Sequence, residues 1–121
     1  MADKRIILEM GTGNDLYGQN YTKAARRAVQ DALHHSSITL FSKLGIDHTE
    51  MRVDVTIAVQ KPEQVDCELV ARDLPRGRAT VRAVLGGLDV EDSEAGTRHV
   101  VATAAIEAFL PDLTGRYKLK S

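Results

Sequence analysis

Residues 51–60 read Met51-Arg52-Val53-Asp54-Val55-Thr56-Ile57-Ala58-Val59-Gln60. In an extended chain Met51, Val53, Val55, Ile57 and Val59 fall on one side, and Arg52, Asp54, Thr56, Ala58 and Gln60 on the other. The stretch predicts a strand with one apolar and one largely polar face. A strand covered on both faces carries a continuous hydrophobic run instead. The pattern therefore argues against a doubly wound sheet. It predicts an α+β domain of two layers: a mixed sheet of about four strands with two or three helices mainly on one face.

Working outward from this strand, Arg5 to Met10 predicts a short strand with Ile6, Leu8 and Met10 on one face. It leads into Gly11-Thr12-Gly13-Asn14-Asp15-Leu16-Tyr17-Gly18-Gln19-Asn20, which reads as a glycine-rich loop. Asn20 or Thr22 then caps a helix from Tyr21 to His35. Tyr21, Ala25, Val29 and Leu33 form one row on it and Ala24, Ala28 and Ala32 a second. The alanine row lets the helix axis sit close to a sheet. Residues 36–50 read as an ordered connection.

On the far side, Lys61-Pro62 breaks the strand, and Asp66 caps a short helix carrying Val65, Leu69, Val70 and Leu74 inward, ended by Pro75 and Gly77. Ala79, Val81, Ala83 and Leu85 mark a further strand, ended or bulged at Gly86-Gly87. Asp89 to Gly96 reads as an acidic loop. His99 to Leu110, rich in Ala, Val and Ile, reads as a helix, with its Val and Thr residues leaving a strand open. The tail alternates Tyr117 and Leu119 with Arg116, Lys118 and Lys120, the pattern of an edge strand or an exchanged arm.

The 121 residues fit a single domain, 1–121, and 43% hydrophobic with 27% charged residues is an ordinary globular balance. A net charge of −1 lacks the cationic field of non-specific nucleic-acid binding, and three Tyr, two Phe and no Trp offer few stacking platforms. The lone Cys67 excludes an internal disulfide framework and a thiolate zinc cluster. No stretch has the length of a membrane span, and the expectation is a cytoplasmic protein with neither membrane nor nucleic-acid partner. A core this small gains from self-association as a homo-oligomer.

The candidate ligand site is the strand-loop-helix junction. There, main-chain N–H groups and the helix N-terminus can receive a small anionic molecule. Its residues are Gly11, Thr12, Gly13, Asn14, Asp15, Thr22 and Lys23. Thr12 or Asp15 would give polar specificity and Lys23 charge. Leu16 stands where a dinucleotide fingerprint needs its third glycine, so no cofactor is named. Thr22 and Lys23 diverge by about 100° on a helix and do not serve each other as nucleophile and base. His34 and His35 lack the spacing of helical metal ligands, and Asp89, Glu91, Asp92 and Glu94 lack that of an EF-hand, so no metal site is assigned. Glu9, Arg52, Asp54 and Arg82 fit cross-strand ion pairs on the polar sheet face, or a shared site if another subunit covers it.

The run Met10 to Asp15 with Gly18, then Thr22-Lys23-Ala24-Ala25-Arg26-Arg27-Ala28-Val29, supported by Gly86-Gly87-Leu88, resembles a family of small bacterial conserved hypothetical proteins. That resemblance implies a compact α/β domain and assigns no activity. Gly11-Thr12-Gly13, Asn20-Tyr21-Thr22-Lys23 and Thr97-Arg98-His99 are also similar to segments of ring-opening amidohydrolases of the cyanuric acid hydrolase and barbiturase type. This second resemblance implies threefold assemblies of α/β units with Ser–Lys pairs at their centre. Leu8 stands where it places the catalytic lysine, and no Ser-Gly-Gly segment is present. Three readings follow: an oligomeric small-molecule-binding domain, a cyclic-amide hydrolase with its site at a subunit interface, and a purely structural protein. Whether the chain is an enzyme stays open at this level.

Overall fold

The computed structural model describes residues 4–15, 20–34, 51–74, 78–92, 94 and 96–110. The expectations for residues 36–50, for Pro75 and Gly77, and for the tail lie outside them. In chain order the elements are β1 (Lys4–Asp15), α1 (Tyr21–His34), β2 (Arg52–Val59), a 3-10 turn (Pro62–Gln64), α2 (Cys67–Arg72), β3 (Arg78–Leu85), β4 (Leu88–Asp92) and β5 (Thr97–Leu110).

The sheet is mixed and has five strands. The long β5 is central: β1 runs antiparallel along one side, and β2 and β4 lie antiparallel along the other, one after the other. β3 pairs parallel with β2, Val53 opposite Ala79 and Ile57 opposite Ala83, joined by the turn and α2 as the crossover that parallel strands require. The helices cover one face, as the half-polar β2 predicts: its burial alternates strictly, with Val53, Val55, Ile57 and Val59 inside.

Two expectations are corrected. Residues 99–110 are strand, not helix. Val100, Ala102, Ala104, Ile106 and Ala108 are buried under the helices. The alternate positions Val101, Ala105 and Phe109 are apolar too, and that erases the period-2 signal. Alanine's helix propensity gives way here to pairing with strands on both sides. Residues 89–92 are likewise strand, since the acidic side chains occupy a paired ribbon, Asp89 opposite Val100 and Glu91 opposite Arg98.

The third correction concerns the glycine-rich segment. Gly11 to Asp15 continue β1, with Gly11 opposite Ala104 and Gly13 opposite Ala102. Both glycines are buried. A Cβ built on Gly13 would sit 2.2 Å from Ala28 N and 2.5 Å from Ala24 O, and one on Gly11 2.4 Å from Ala28 O and 2.4 Å from Ala32 N. The alanine row of α1 therefore lies directly on the glycines of β1. Backbone meets backbone, and no side chain fits between.

Helix starts follow their caps. Asn20 Oδ1 accepts from Lys23 N at 3.0 Å and its carbonyl from Ala24 N at 3.1 Å. Asp66 Oδ1 accepts from Leu69 N at 3.2 Å. Arg26 of α1 holds Asp73, just past α2, through two bonds of 2.8 and 3.1 Å, fixing the two helices side by side. No helix among the described residues is long and apolar enough to cross a membrane.

Candidate functional site

At the start of α1, the residues expected to face a ligand are turned to one another. Asp15, 4% exposed, accepts the Asn20 N–H at 2.9 Å and faces Arg27 at 3.5 Å. Its carboxylate stands where an incoming anion would stand. Thr12 N donates to Asp31 Oδ2 at 2.9 Å, and the Asn14 carbonyl accepts from Arg27 at 2.6 Å. The Thr22 hydroxyl donates to Gln64 O at 3.2 Å and accepts from Asp66 N at 2.8 Å, pinning the 3-10 turn to α1. Lys23 points to solvent, away from that bond, so Thr22 and Lys23 form no nucleophile–base pair.

Below this junction, Tyr21 donates to Asp89 Oδ2, and Arg98 approaches the same oxygen at 3.9 Å and Glu91 at 3.2 Å. Burial raises the Tyr21 pKa first, and its bond to Asp89 adds to the rise. A phenol so placed is a structural donor rather than a base. The Cys67 thiol is also pushed up, by burial and then by the charge of Asp66, which makes it a poor nucleophile. Among the described residues no three His, Cys, Asp or Glu side chains are grouped to hold a metal ion. His34 is exposed, and His99 lies on β5, facing away from the helices.

The open face of the sheet is different. Side chains that alternate with the buried set lie there: Leu8, Met10, Thr12 and Asn14 of β1, Thr103 and Ala105 of β5, Thr56 and Ala58 of β2, and Arg82 and Val84 of β3. The pairs Thr12–Thr103, Met10–Ala105, Ala58–Thr103 and Thr56–Arg82 set them side by side. Six large apolar side chains are exposed among the described residues, and five of them, Leu8, Met10, Val84, Leu88 and Val90, are on this face. Scattered apolar exposure is ordinary, whereas concentration on one surface marks a contact site. Within it lies a hollow of about 370 Å³, floored by Thr12, Thr56, Ala58, Thr103 and Ala105 and bordered by Met10 and by Asp31, whose carboxylate is held by the Thr12 N–H.

Charged groups gather at one end. Arg5 pairs with Glu107 at 3.3 Å, and Arg52 with Asp54 at 3.3 Å while lying over the Phe109 ring at 4.2 Å. Arg82 stands apart: its Nε donates to Thr56 Oγ1 at 3.0 Å, and no carboxylate pairs with it among the described residues. Arg82, Asp54 and Glu107 also border a second, smaller hollow of about 180 Å³.

Of the seven residues expected to form the site, only Gly11 and Thr12 border the larger hollow. Gly13 is buried beneath α1, Asn14 lies on the open face outside the hollow, and Asp15, Thr22 and Lys23 stay at the helix start. Thr56, Thr103 and Arg82 join the candidate set. Arg82 is visible in the sequence as a polar-face residue, but its neighbours on the sheet come only from strand order.

The chain is similar to a crystal structure described as an FtsZ-like protein of unknown function from Nostoc punctiforme, with 38% identity and a TM-score of 0.79 over 93% of this chain and 99% of that one. No curated protein matches it. Neither the neighbour nor the family match extends to the ring-opening amidohydrolases. A family model for conserved hypothetical proteins matches residues 5–108, nearly the whole of the described sheet and helix layer, and the chain belongs to that family, Lin0512.

Proposed function

We propose that the chain is a self-associating, cytoplasmic domain that binds a small molecule on the open face of its sheet. The ligand has an apolar body, seated over Thr12, Thr56, Thr103 and Ala105, and an anionic group that meets Arg82. The observation that carries this reading is the hollow lined by Thr56, whose hydroxyl accepts from Arg82, an arginine with no other side-chain partner among the described residues. Largely apolar pockets with a few convergent polar groups are the usual form of small-molecule sites. The sequence reading of an anionic ligand is kept; the cation that receives it moves from Lys23 to Arg82. At the helix start the Asp15 carboxylate repels an anion, and Thr12 N and Lys23 N already have acceptors.

The probe 8-anilinonaphthalene-1-sulfonate has both features, and a fluorescence titration tests the proposal. Wild-type protein is expected to enhance its emission saturably. Arg82→Gln is expected to weaken binding roughly five-fold or more, the scale of a charged hydrogen bond at a partly exposed site. Thr103→Phe, which fills the hollow, is expected to abolish binding, and Lys23→Ala to leave it unchanged. Weakening by Lys23→Ala with no effect of Arg82→Gln would return the site to the helix start and end this reading.

A further inference from the structure

The larger hollow has unlike ends. Its floor of threonine and alanine side chains holds no charge, and the single charged side chain among its described lining residues is Asp31 of α1, at the β1 edge. Asp31 is half-buried, and its Oδ2 accepts the Thr12 N–H at 2.9 Å. That donor is neutral and leaves the charge of the carboxylate unmatched. The cation that a helix ordinarily offers lies one turn back, at Arg27. Here Arg27 is turned elsewhere: its guanidinium donates to the Asn14 carbonyl at 2.6 Å and faces Asp15 at 3.5 Å. Arg26 beside it is bound to Asp73. No cation pairs with Asp31 among the described residues.

The far end has the opposite sign, because Arg82 Nε donates to Thr56 Oγ1 at 3.0 Å and Thr56 lines the hollow. Thr12 on β1 faces Thr103 of β5, and Thr56 on β2 faces Ala105, so the two ends lie two strand spacings apart and one two-residue step along. Ordinary sheet dimensions make that separation roughly 12 Å. We infer that the hollow takes an extended zwitterion, an apolar chain with its anionic group at Arg82 and an ammonium group at Asp31. Asp31 sets which way round the ligand lies. An anion over β1 meets its carboxylate, whereas an ammonium there gains a charge-assisted hydrogen bond in a half-buried setting. The inference rests on the proposed function, to which it adds a second pole and a direction.

Displacement of 8-anilinonaphthalene-1-sulfonate by octanoate, 8-aminooctanoate and 4-aminobutanoate tests it. On the wild-type protein, 8-aminooctanoate is expected to displace the probe about five-fold more effectively than octanoate, the scale of one charged hydrogen bond at a partly exposed site. The short 4-aminobutanoate cannot reach both ends and is expected to displace none. Asp31→Asn keeps an oxygen for the Thr12 N–H and removes the charge. It is expected to make the two eight-carbon acids equal while leaving the binding of octanoate and of the probe unchanged. Arg82→Gln is expected to weaken both acids alike. Equal displacement by the two acids on the wild type, a result that needs no variant to fold, overturns the inference. So does an advantage of 8-aminooctanoate that survives Asp31→Asn. In either case displacement by octanoate leaves the hollow standing as a ligand site. No displacement by either acid ends the proposed site and this inference together.

Discussion

Gly13→Ala is expected to lower folding stability by about 3 kcal/mol or more, at the upper end of overpacking costs. The added Cβ would lie within 2.6 Å of three backbone atoms of α1, namely Ala28 N, Ala24 O and Arg27 C. Backbone in a regular helix cannot swing aside as a side chain tip does, so α1 must lift from the sheet by an ångström or so. Lifting breaks more than one contact. Ala24, Ala28 and Ala32 are all fully buried against β1 and β5, and the bonds from Asp31 and Arg27 to the β1 edge stretch with them. Gly11→Ala meets Ala28 O and Ala32 N in the same way and is expected to behave alike. Gly96→Ala is the control: its backbone has a φ of +67° but nothing lies within 4 Å of a new Cβ, so only the left-handed strain of about 1 kcal/mol is expected. Urea denaturation of the three variants checks this. Equal midpoints for Gly13→Ala and Gly96→Ala would mean that α1 does not sit on β1 as described.

Gly87→Ala combines both penalties and is expected to cost about 3 kcal/mol. Its φ is +63°, and a Cβ there would approach Val101 O to 2.5 Å and Ala58 O to 2.7 Å. Gly86 and Gly87 turn the chain from β3 back towards β5. Gln60 clamps the turn by donating to both of their carbonyls, at 2.9 and 3.3 Å. The turn drops β4 into line with β2, and that placement brings Asp89 under the Tyr21 hydroxyl. Two readouts are therefore expected to move together: the unfolding midpoint, and the near-ultraviolet absorbance of Tyr21 as the phenol loses its acceptor. A lowered midpoint with an unchanged tyrosine signal would separate the turn from the position of β4.

These two sites show where sequence reading reached and where it stopped. The layering was legible from β2 alone, because each buried valine or isoleucine alternates with a residue that faces away from the helices. The helix from Tyr21 was legible from two apolar rows and a capping asparagine, and α2 from Asp66. Gly11-Thr12-Gly13 was not, since glycine at alternate positions is the mark of a loop unless something must approach the strand closely. The approaching partner, the alanine row, was present in the sequence. Matching it to the glycines required knowing that β1 continues past Met10. β5 hid its nature because three of its outward residues, Val101, Ala105 and Phe109, are apolar like its inward ones and blur the alternation. Leu8 and Met10 of β1, Val84 of β3 and Leu88 and Val90 of β4 make the open face a contact surface. Arg82 gained its meaning only from the parallel pairing with β2, which seats it beside Thr56.

Amide chemical-shift mapping with 8-anilinonaphthalene-1-sulfonate addresses the ligand surface most directly. Perturbations are expected to cluster at Met10, Thr12, Thr56, Ala58, Arg82, Thr103 and Ala105, on one face of four adjacent strands. A cluster at Asn20 to Lys23, with the open face silent, would contradict the account.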